Sequence, residues 1–282
     1  MKVVTFLTVL AFPLWSWPHG PLVEQIANKT KEIQANPSDA ILYLERGELY
    51  RYHEDWDKAL ADYDTALTLN RELSIVDLAR GKMFYDAGLF EESVEPLERF
   101  LQKYPEHADA LLVRARSRFK IGQNLKAAED FSKTIKLSAT PKPEYYIGRA
   151  KALVAAGPEY LDQAVLGLDE GLDLMGQIVT LQLYAIELEV ARENYDGALA
   201  RLQKISAQSA RKEKWLKRQG EILLKAGRVE EARRVFEQAL QEIDAFSLRR
   251  RKTKWILKLE NWLRNTLDHL DENRNSRKGD GK

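Results

Sequence analysis

Few residues of this sequence have the types and spacing that catalysis or metal binding requires. The chain has 282 residues and no cysteine, so thiolate nucleophiles, zinc–thiolate sites and disulfides are impossible. No serine-hydrolase or phosphate-loop motif occurs. The histidines are far apart in sequence and form no helical zinc motif: His19, His53, His107 and His269. The sequence therefore predicts no enzyme, no metal site and no cofactor.

The Lys and Arg side chains could still bind an anionic partner, and they are concentrated near the C terminus. Residues 247–282 hold 11 Lys and Arg against 5 Asp and Glu, although the net charge of the whole chain is +1. Cations beside aromatic residues attract anionic lipid headgroups and polyanions. The predicted basic surface consists of Lys214, Lys217, Arg218, Arg249, Arg250, Arg251 and Lys254. The same cations also suit a solvated terminal helix that keeps molecules from stacking end to end.

A repeat of about 34 residues must position these side chains. An Arg followed by a small residue recurs as Arg46-Gly47, Arg80-Gly81, Arg114-Ala115 and Arg149-Ala150. The fifth copy is degenerate, with Ile186 at the small position, and the sixth has Gly220 there. Repeats begin near residues 40, 74, 108, 143, 179 and 213 and fill residues 40–246. Small residues at this position let two antiparallel helices approach closely.

This pattern resembles the tetratricopeptide repeat family over about three quarters of the chain. The resemblance implies an all-α fold, a right-handed α-solenoid of about six helix-turn-helix repeats with N- and C-terminal capping helices. It also implies that the first helix of each repeat lines a concave groove where peptides or partner helices bind.

Mapped onto this sequence, the groove positions of that family contain a row of cations: Lys82, Arg116 and Lys151. Aromatic and basic residues lie near them: Tyr52, Tyr85, Phe119 and Lys120. Cations interleaved with aromatic rings can hold an acidic peptide or a C-terminal carboxylate. The alternative is a solvated groove whose long cationic side chains pair with neighbouring glutamates.

Both ends of the repeat array carry predicted capping helices, which solenoids need to stay soluble. Residues 21–37 have apolar side chains at helical spacing, and residues 247–271 carry an amphipathic stripe. Residues 272–282 are polar, which predicts a disordered tail.

Residues 1–19 have the layout of a secretory signal peptide, with Lys2 followed by an uncharged apolar run from Val3 to Leu14. The run is shorter than the roughly 20 residues that span a bilayer. We therefore expect an exported protein of bacterial type, periplasmic or secreted, with an uncleaved membrane anchor as the minor alternative.

The expected function is a non-enzymatic protein–protein interaction module or assembly scaffold in the cell envelope. A peptide or partner protein would bind in the concave groove, and the near-zero net charge argues against nucleic acid as the partner. Membrane contact would be at most peripheral. The alternative function is electrostatic docking to an anionic membrane surface or polyanion through the basic C-terminal region.

Overall fold

The structure, a computed structural model, describes residues 20–207 and 209–279. Throughout these residues the regular structure is helical, with 15 α-helices and one 3-10 turn at Pro158–Tyr160. The chain divides into two compact units, one ending at Ile121 and the other beginning at Gly122. The predicted signal peptide, residues 1–19, lies outside the described residues.

The first unit is a stack of helices joined by short turns. Its helices are α1 (Gly20–Ala35), α2 (Ala40–Tyr52), α3 (Trp56–Leu69), α4 (Ile75–Asp86), α5 (Phe90–Lys103) and α6 (Ala108–Lys120). The helix pairs α2–α3 and α4–α5 pack side by side. Ala59, Tyr63 and Ala66 of α3 are completely buried between the neighbouring helices.

The second unit continues the same pattern. Its helices are α7 (Asn124–Leu137), α8 (Pro143–Ala156), α9 (Leu161–Met175), α10 (Val179–Ala191), α11 (Tyr195–Ala207), α12 (Lys212–Lys225), α13 (Val229–Asp244), α14 (Leu248–Arg251) and α15 (Lys254–Gly279). The helices that begin at the six predicted repeat starts are α2, α4, α6, α8, α10 and α12. They begin at Ala40, Ile75, Ala108, Pro143, Val179 and Lys212. The predicted all-α repeat fold is confirmed.

Small residues on the first helices let bulky side chains of the second helices pack against the backbone. A Cβ atom at Gly47 would lie 2.6 Å from the Tyr63 ring, and one at Gly220 would lie 2.1 Å from the Phe236 ring. The fifth repeat has Ile186 at this position, and Ile186 lies in one buried cluster with Leu202 of α11 and Trp215 of α12.

The turn between the two helices of a pair needs a left-handed backbone residue. Gly88 (φ 78°) and Gly227 (φ 73°) supply it without steric cost. Thirty-four residues earlier, the same position is occupied by Glu54 (φ 61°) and Glu193 (φ 60°). Each glutamate stores about 1 kcal/mol of backbone strain that glycine would avoid.

The recurring arginine joins the two helices of a pair in the first and fourth repeats, whereas Arg80 of the second repeat forms an ion pair with Asp64 of the preceding helix α3. Arg46 of α2 donates two hydrogen bonds to Asp62 of α3, at 2.8 and 2.7 Å, and the carboxylate is buried. Arg149 of α8 donates to Glu170 of α9 at 2.5 Å and to the Gly167 carbonyl at 2.9 Å. We interpret the contacts of Arg46 and Arg149 as structural, because each arginine binds its partners within its own repeat.

The C-terminal end differs from the prediction in two ways. The predicted helix over 247–271 is broken into α14 and α15 at Thr253, whose carbonyl accepts the first hydrogen bond of α15, from the Leu257 amide. The predicted disordered tail from 272 is helical up to Gly279. No proline or glycine interrupts residues 272–278, and Asp271 is fixed to Arg233 of α13 by a 2.6 Å ion pair, so the helix continues past its last buried turn.

Candidate binding pocket

Three of the predicted groove residues in the first unit, Lys82, Tyr85 and Lys120, contact other side chains of the same unit. The Lys82 ammonium of α4 forms an ion pair with Asp109 of α6. The Tyr85 ring lies 5.6 Å from the Phe90 ring, and the Lys120 ammonium lies 5.8 Å above that ring. Lys82 therefore offers little unbalanced charge to a partner.

A second network of ion pairs and hydrogen bonds surrounds Arg51 and joins α2 to α4. The Arg51 guanidinium binds Glu48 and Asp86, which joins α2 to α4. The exposed Tyr52 ring stacks 4.4 Å from the same guanidinium. The Tyr63 hydroxyl donates to Glu48 at 2.5 Å, and burial together with the Glu48 charge raises the pKa of this hydroxyl.

The remaining predicted groove residues are divided between the units. Arg116 and Phe119 of α6 are half-buried in the first unit, whereas Lys151 of α8 is exposed in the second. Of the three predicted groove cations, Lys82 and Arg116 thus belong to the first unit and Lys151 to the second.

The second unit contains a pocket that is lined in part by the first helices of the fifth and sixth repeats, where the family resemblance places the groove, and in part by the terminal helix α15. Its volume is about 530 Å³. It is lined by α10, α12 and α15 through Leu183, Glu187, Lys214, Trp215, Lys217, Arg218, Glu221, Trp255, Lys258, Leu259 and Trp262. We call these residues the tryptophan pocket. Three aromatic rings, four cations and two carboxylates face one concavity of the size that ligand sites typically have.

Core packing fixes two of the three indole rings. Trp215 is 9% exposed and packs against Ile186 and Ile222 of the fifth and sixth repeats. Trp262 meets the buried Phe236 ring edge-on, with the centroids 5.5 Å apart. Trp255, in the first turn of α15, is 46% exposed. The pocket therefore has two rigid aromatic walls and a third ring open to solvent.

The charges of the pocket are partly balanced. The Lys217 ammonium lies 2.5 Å from the Glu221 carboxylate and 4.1 Å above the Trp262 ring. Arg218 lies 3.9 Å from the same carboxylate, and Lys214 lies 5.0 Å above the Trp215 ring. Since four cations share the lining with two carboxylates, the pocket has an excess of positive charge that favours an acidic ligand.

The predicted basic surface separates into two groups. Lys214, Lys217 and Arg218 line the tryptophan pocket. Arg250 binds the buried Glu213 at 3.1 Å, and Arg251 binds Asp244 at 2.7 Å and Glu260 at 2.8 Å. Both of these arginines attach α14 to the rest of the unit, while Arg249 and Lys254 stay exposed. Hydrogen bonds from Arg251 and Arg264 lower the pKa of Glu260 to about 2.

A larger cavity of about 660 Å³ lies on another side of α12, against α11 and α13. Its charged residues include Asp196 and Arg228, which pair with each other at 2.8 Å. The tryptophan pocket is the better candidate for binding, because it combines apolar rings with surplus cations.

Among residues 20–207 and 209–279, no cluster of three or more His, Asp or Glu could hold a metal ion. In the same part of the chain, no helix has the length and hydrophobicity to cross a bilayer.

Antiparallel helix pairs with small residues at fixed positions define a class of repeat proteins. The tetratricopeptide repeat-like domain family matches residues 150–261, and the tetratricopeptide repeat family matches residues 44–94 and 78–142. The chain is a tetratricopeptide repeat protein. Members of this class generally mediate protein–protein interactions and generally serve as scaffolds rather than enzymes.

Known proteins resemble parts of the chain. Human tetratricopeptide repeat protein 13 is 37% identical over 93 residues, which are 33% of this chain and 11% of that protein. The structure of YrrB, a tetratricopeptide repeat protein described as having an unusual peptide-binding site, has a TM-score of 0.55 at 22% identity, covering 64% of this chain and 91% of its own. A repeat protein of Parabacteroides merdae has a TM-score of 0.52 at 19% identity, with coverages of 86% and 93%. The two structural likenesses show the fold alone.

Proposed function

We propose that the protein is a non-enzymatic binding module that holds an acidic segment of a partner protein in the tryptophan pocket. The observation that supports this function is the convergence of Trp215, Trp255 and Trp262 with four cations around one concavity. Aromatic residues and arginine dominate the binding energy of protein interfaces, whereas isolated surface lysines contribute little.

The chemistry of the lining describes the segment that would fit. Leu183, Leu259 and the indole rings offer an apolar floor for a large aliphatic or aromatic side chain. Lys214 and Lys258 are exposed at the pocket and can bind carboxylates on either side of that anchor. The partner segment would therefore combine one large apolar residue with flanking Asp or Glu, or with a C-terminal carboxylate.

We place this module outside the cytoplasm as part of the same proposal. The support is the sequence of residues 1–19, which has the layout of a signal peptide. Detection of the mature protein in the envelope fraction with residues 1–19 removed would support this location, and an intact N terminus in the cytoplasmic fraction would contradict it.

Site-specific photo-crosslinking in the native cell tests the binding site. A photoreactive residue at Leu183, on the pocket wall, should form an adduct with a protein partner. The adduct should disappear when Lys214→Glu and Arg218→Glu reverse the local charge. The matched control is Lys126→Glu with Lys133→Glu, two exposed lysines of α7. Failure to form an adduct, or an adduct that both charge reversals weaken equally, would contradict the proposed site.

A further inference from the structure

A second charged surface lies where α14 meets α15, and it has the composition of a membrane-docking surface. Residues 247–259 contain six Lys and Arg and no Asp or Glu. Arg250 and Arg251 are bound to acids of the same chain. The others, Arg249, Lys252, Lys254 and Lys258, are exposed and form no ion pair with any residue that the structure describes.

Large apolar side chains are exposed among these cations. Leu248 is 77% exposed, and Trp255 and Leu257 are each 46% exposed. On α15, Ile256 and Leu259 are buried against the core, so Lys254, Leu257 and Lys258 share the opposite, solvent-facing side. We call the exposed residues Leu248, Arg249, Lys252, Lys254, Trp255, Leu257 and Lys258 the amphipathic corner.

We propose that the amphipathic corner docks the protein on the surface of an anionic lipid bilayer. Unpaired cations are attracted to anionic headgroups, and Leu248 and Leu257 can enter the boundary between headgroups and acyl chains. Trp255 suits the same boundary because its ring is apolar and its N–H is polar. A soluble polyanion would use the cations but would leave the exposed leucines in water, so a bilayer satisfies more of the surface.

The internal pairs of Arg250 and Arg251 make this surface rigid. They attach α14 to Glu213 of α12 and to Glu260 of α15, which fixes the direction of the neighbouring exposed side chains. The corner shares Trp255 and Lys258 with the tryptophan pocket, so the test variants change only residues outside the pocket.

Vesicle flotation of the full chain tests the proposal. The two lipid mixtures are phosphatidylcholine alone and phosphatidylcholine with about a quarter phosphatidylglycerol. We expect preferential binding to the anionic vesicles that weakens with added salt. The triple variant Arg249→Gln, Lys252→Gln, Lys254→Gln should lose about a hundredfold in affinity, since each of the three cations contributes roughly fivefold near a bilayer surface. Equal binding to both vesicle types would overturn the proposal.

Two further variants separate a bilayer from other polyanions and from net charge. Lys126→Gln, Lys133→Gln, Lys136→Gln removes the same charge from exposed positions of α7 and should leave vesicle binding unchanged. Leu248→Ser with Leu257→Ser should weaken vesicle binding by about tenfold and leave heparin binding unchanged. If the α7 variant matches the corner variant, or if the leucine variant binds vesicles normally, lipid docking is contradicted.

Discussion

Charges on the first helices are used differently in the two units. In the unit that ends at Ile121, ion pairs join successive first helices: Arg51 binds Asp86 between α2 and α4, and Lys82 binds Asp109 between α4 and α6. In the unit that begins at Gly122, no ion pair joins the described side chains of α10 and α12. The space between these two helices is instead part of the tryptophan pocket.

The difference is between cations paired within the chain and cations that lie beside aromatic rings, and we propose that the first serve cohesion and the second recognition. A cation that pairs with an acid of the same chain stabilises the stack of helices. A cation that lies beside aromatic rings without such a partner is available to a ligand. In this protein, the degenerate fifth repeat and the terminal helix α15 contribute walls of the pocket. We therefore assign cohesion to the first unit and propose recognition for the second.

The largest expected effect on stability is in the first unit. Arg51→Ala should lower the free energy of unfolding by about 2 kcal/mol, because it removes the buried guanidinium that packs between α2 and α4 and pairs with the partly exposed Glu48 and Asp86. Urea denaturation followed by circular dichroism measures the change.

The matched variant in the second unit is Lys214→Ala. It should change the same free energy by less than about 0.5 kcal/mol, because Lys214 is exposed and forms no described ion pair. Partner crosslinking at Leu183 should respond in the opposite order, with Arg51→Ala neutral and Lys214→Ala weakening it. Equal destabilisation by the two variants would remove the distinction between the units.

A smaller effect on stability is expected from a substitution in the core beneath the Trp262 wall of the tryptophan pocket. Gly220→Ala places a methyl group against the Phe236 ring, on which Trp262 rests. Overpacking costs about 2 kcal/mol, and the better helix propensity of alanine returns about 1 kcal/mol. The net loss of about 1 kcal/mol should be accompanied by weaker crosslinking at Leu183.

The corresponding change in the first unit is Gly47→Ala, which places a methyl group against Tyr63. It should cost similar stability and leave the crosslink intact. A Gly220→Ala protein with normal crosslinking would show that the Trp262 wall is not needed for binding.

The smallest expected effect is the pH dependence of the attachment of α14 to α15. Because the pKa of Glu260 falls to about 2 in the folded protein, its stabilising contribution is complete above about pH 4.5 and is lost as the pH falls towards 2. Glu260→Gln should therefore be less stable than the original protein by up to about 1 kcal/mol at about pH 6. The difference should shrink below about pH 4. A stability difference that is constant between these pH values would contradict the assignment to Glu260.

The repeat register predicts much of the fold because small residues recur at close approaches. It places Gly47 and Gly220 correctly against large side chains, and the same 34-residue spacing assigns Glu54 and Glu193 to the turn positions of Gly88 and Gly227. Polar composition predicts disorder from residue 272, whereas α15 extends to Gly279. The pair of Arg233 and Asp271 that anchors this end of the helix depends on tertiary packing, which composition does not show.

The tryptophan pocket is harder to predict than the helices. Trp215 and Trp262 are 47 positions apart in the sequence and meet only because α15 packs beside the sixth repeat. The apolar stripe of the terminal helix indicates that Trp262 faces the core, but spacing alone does not show that its edge borders a cavity. Similarly, the pairing of Arg250 with Glu213 depends on tertiary packing. The run of basic residues therefore does not show which of its arginines are free to bind a partner.

The most direct test of the central claim measures the affinity of the crosslinked partner, once identified and purified, for two charge-reversed proteins. One carries Lys214→Glu and Arg218→Glu in the second unit, and the other carries Lys82→Glu and Lys120→Glu in the first. Calorimetric titration should show about a hundredfold loss of affinity for the first protein and less than about a threefold change for the second. A comparable loss in both proteins, or a larger loss from the first-unit reversals, would contradict the assignment of recognition to the tryptophan pocket.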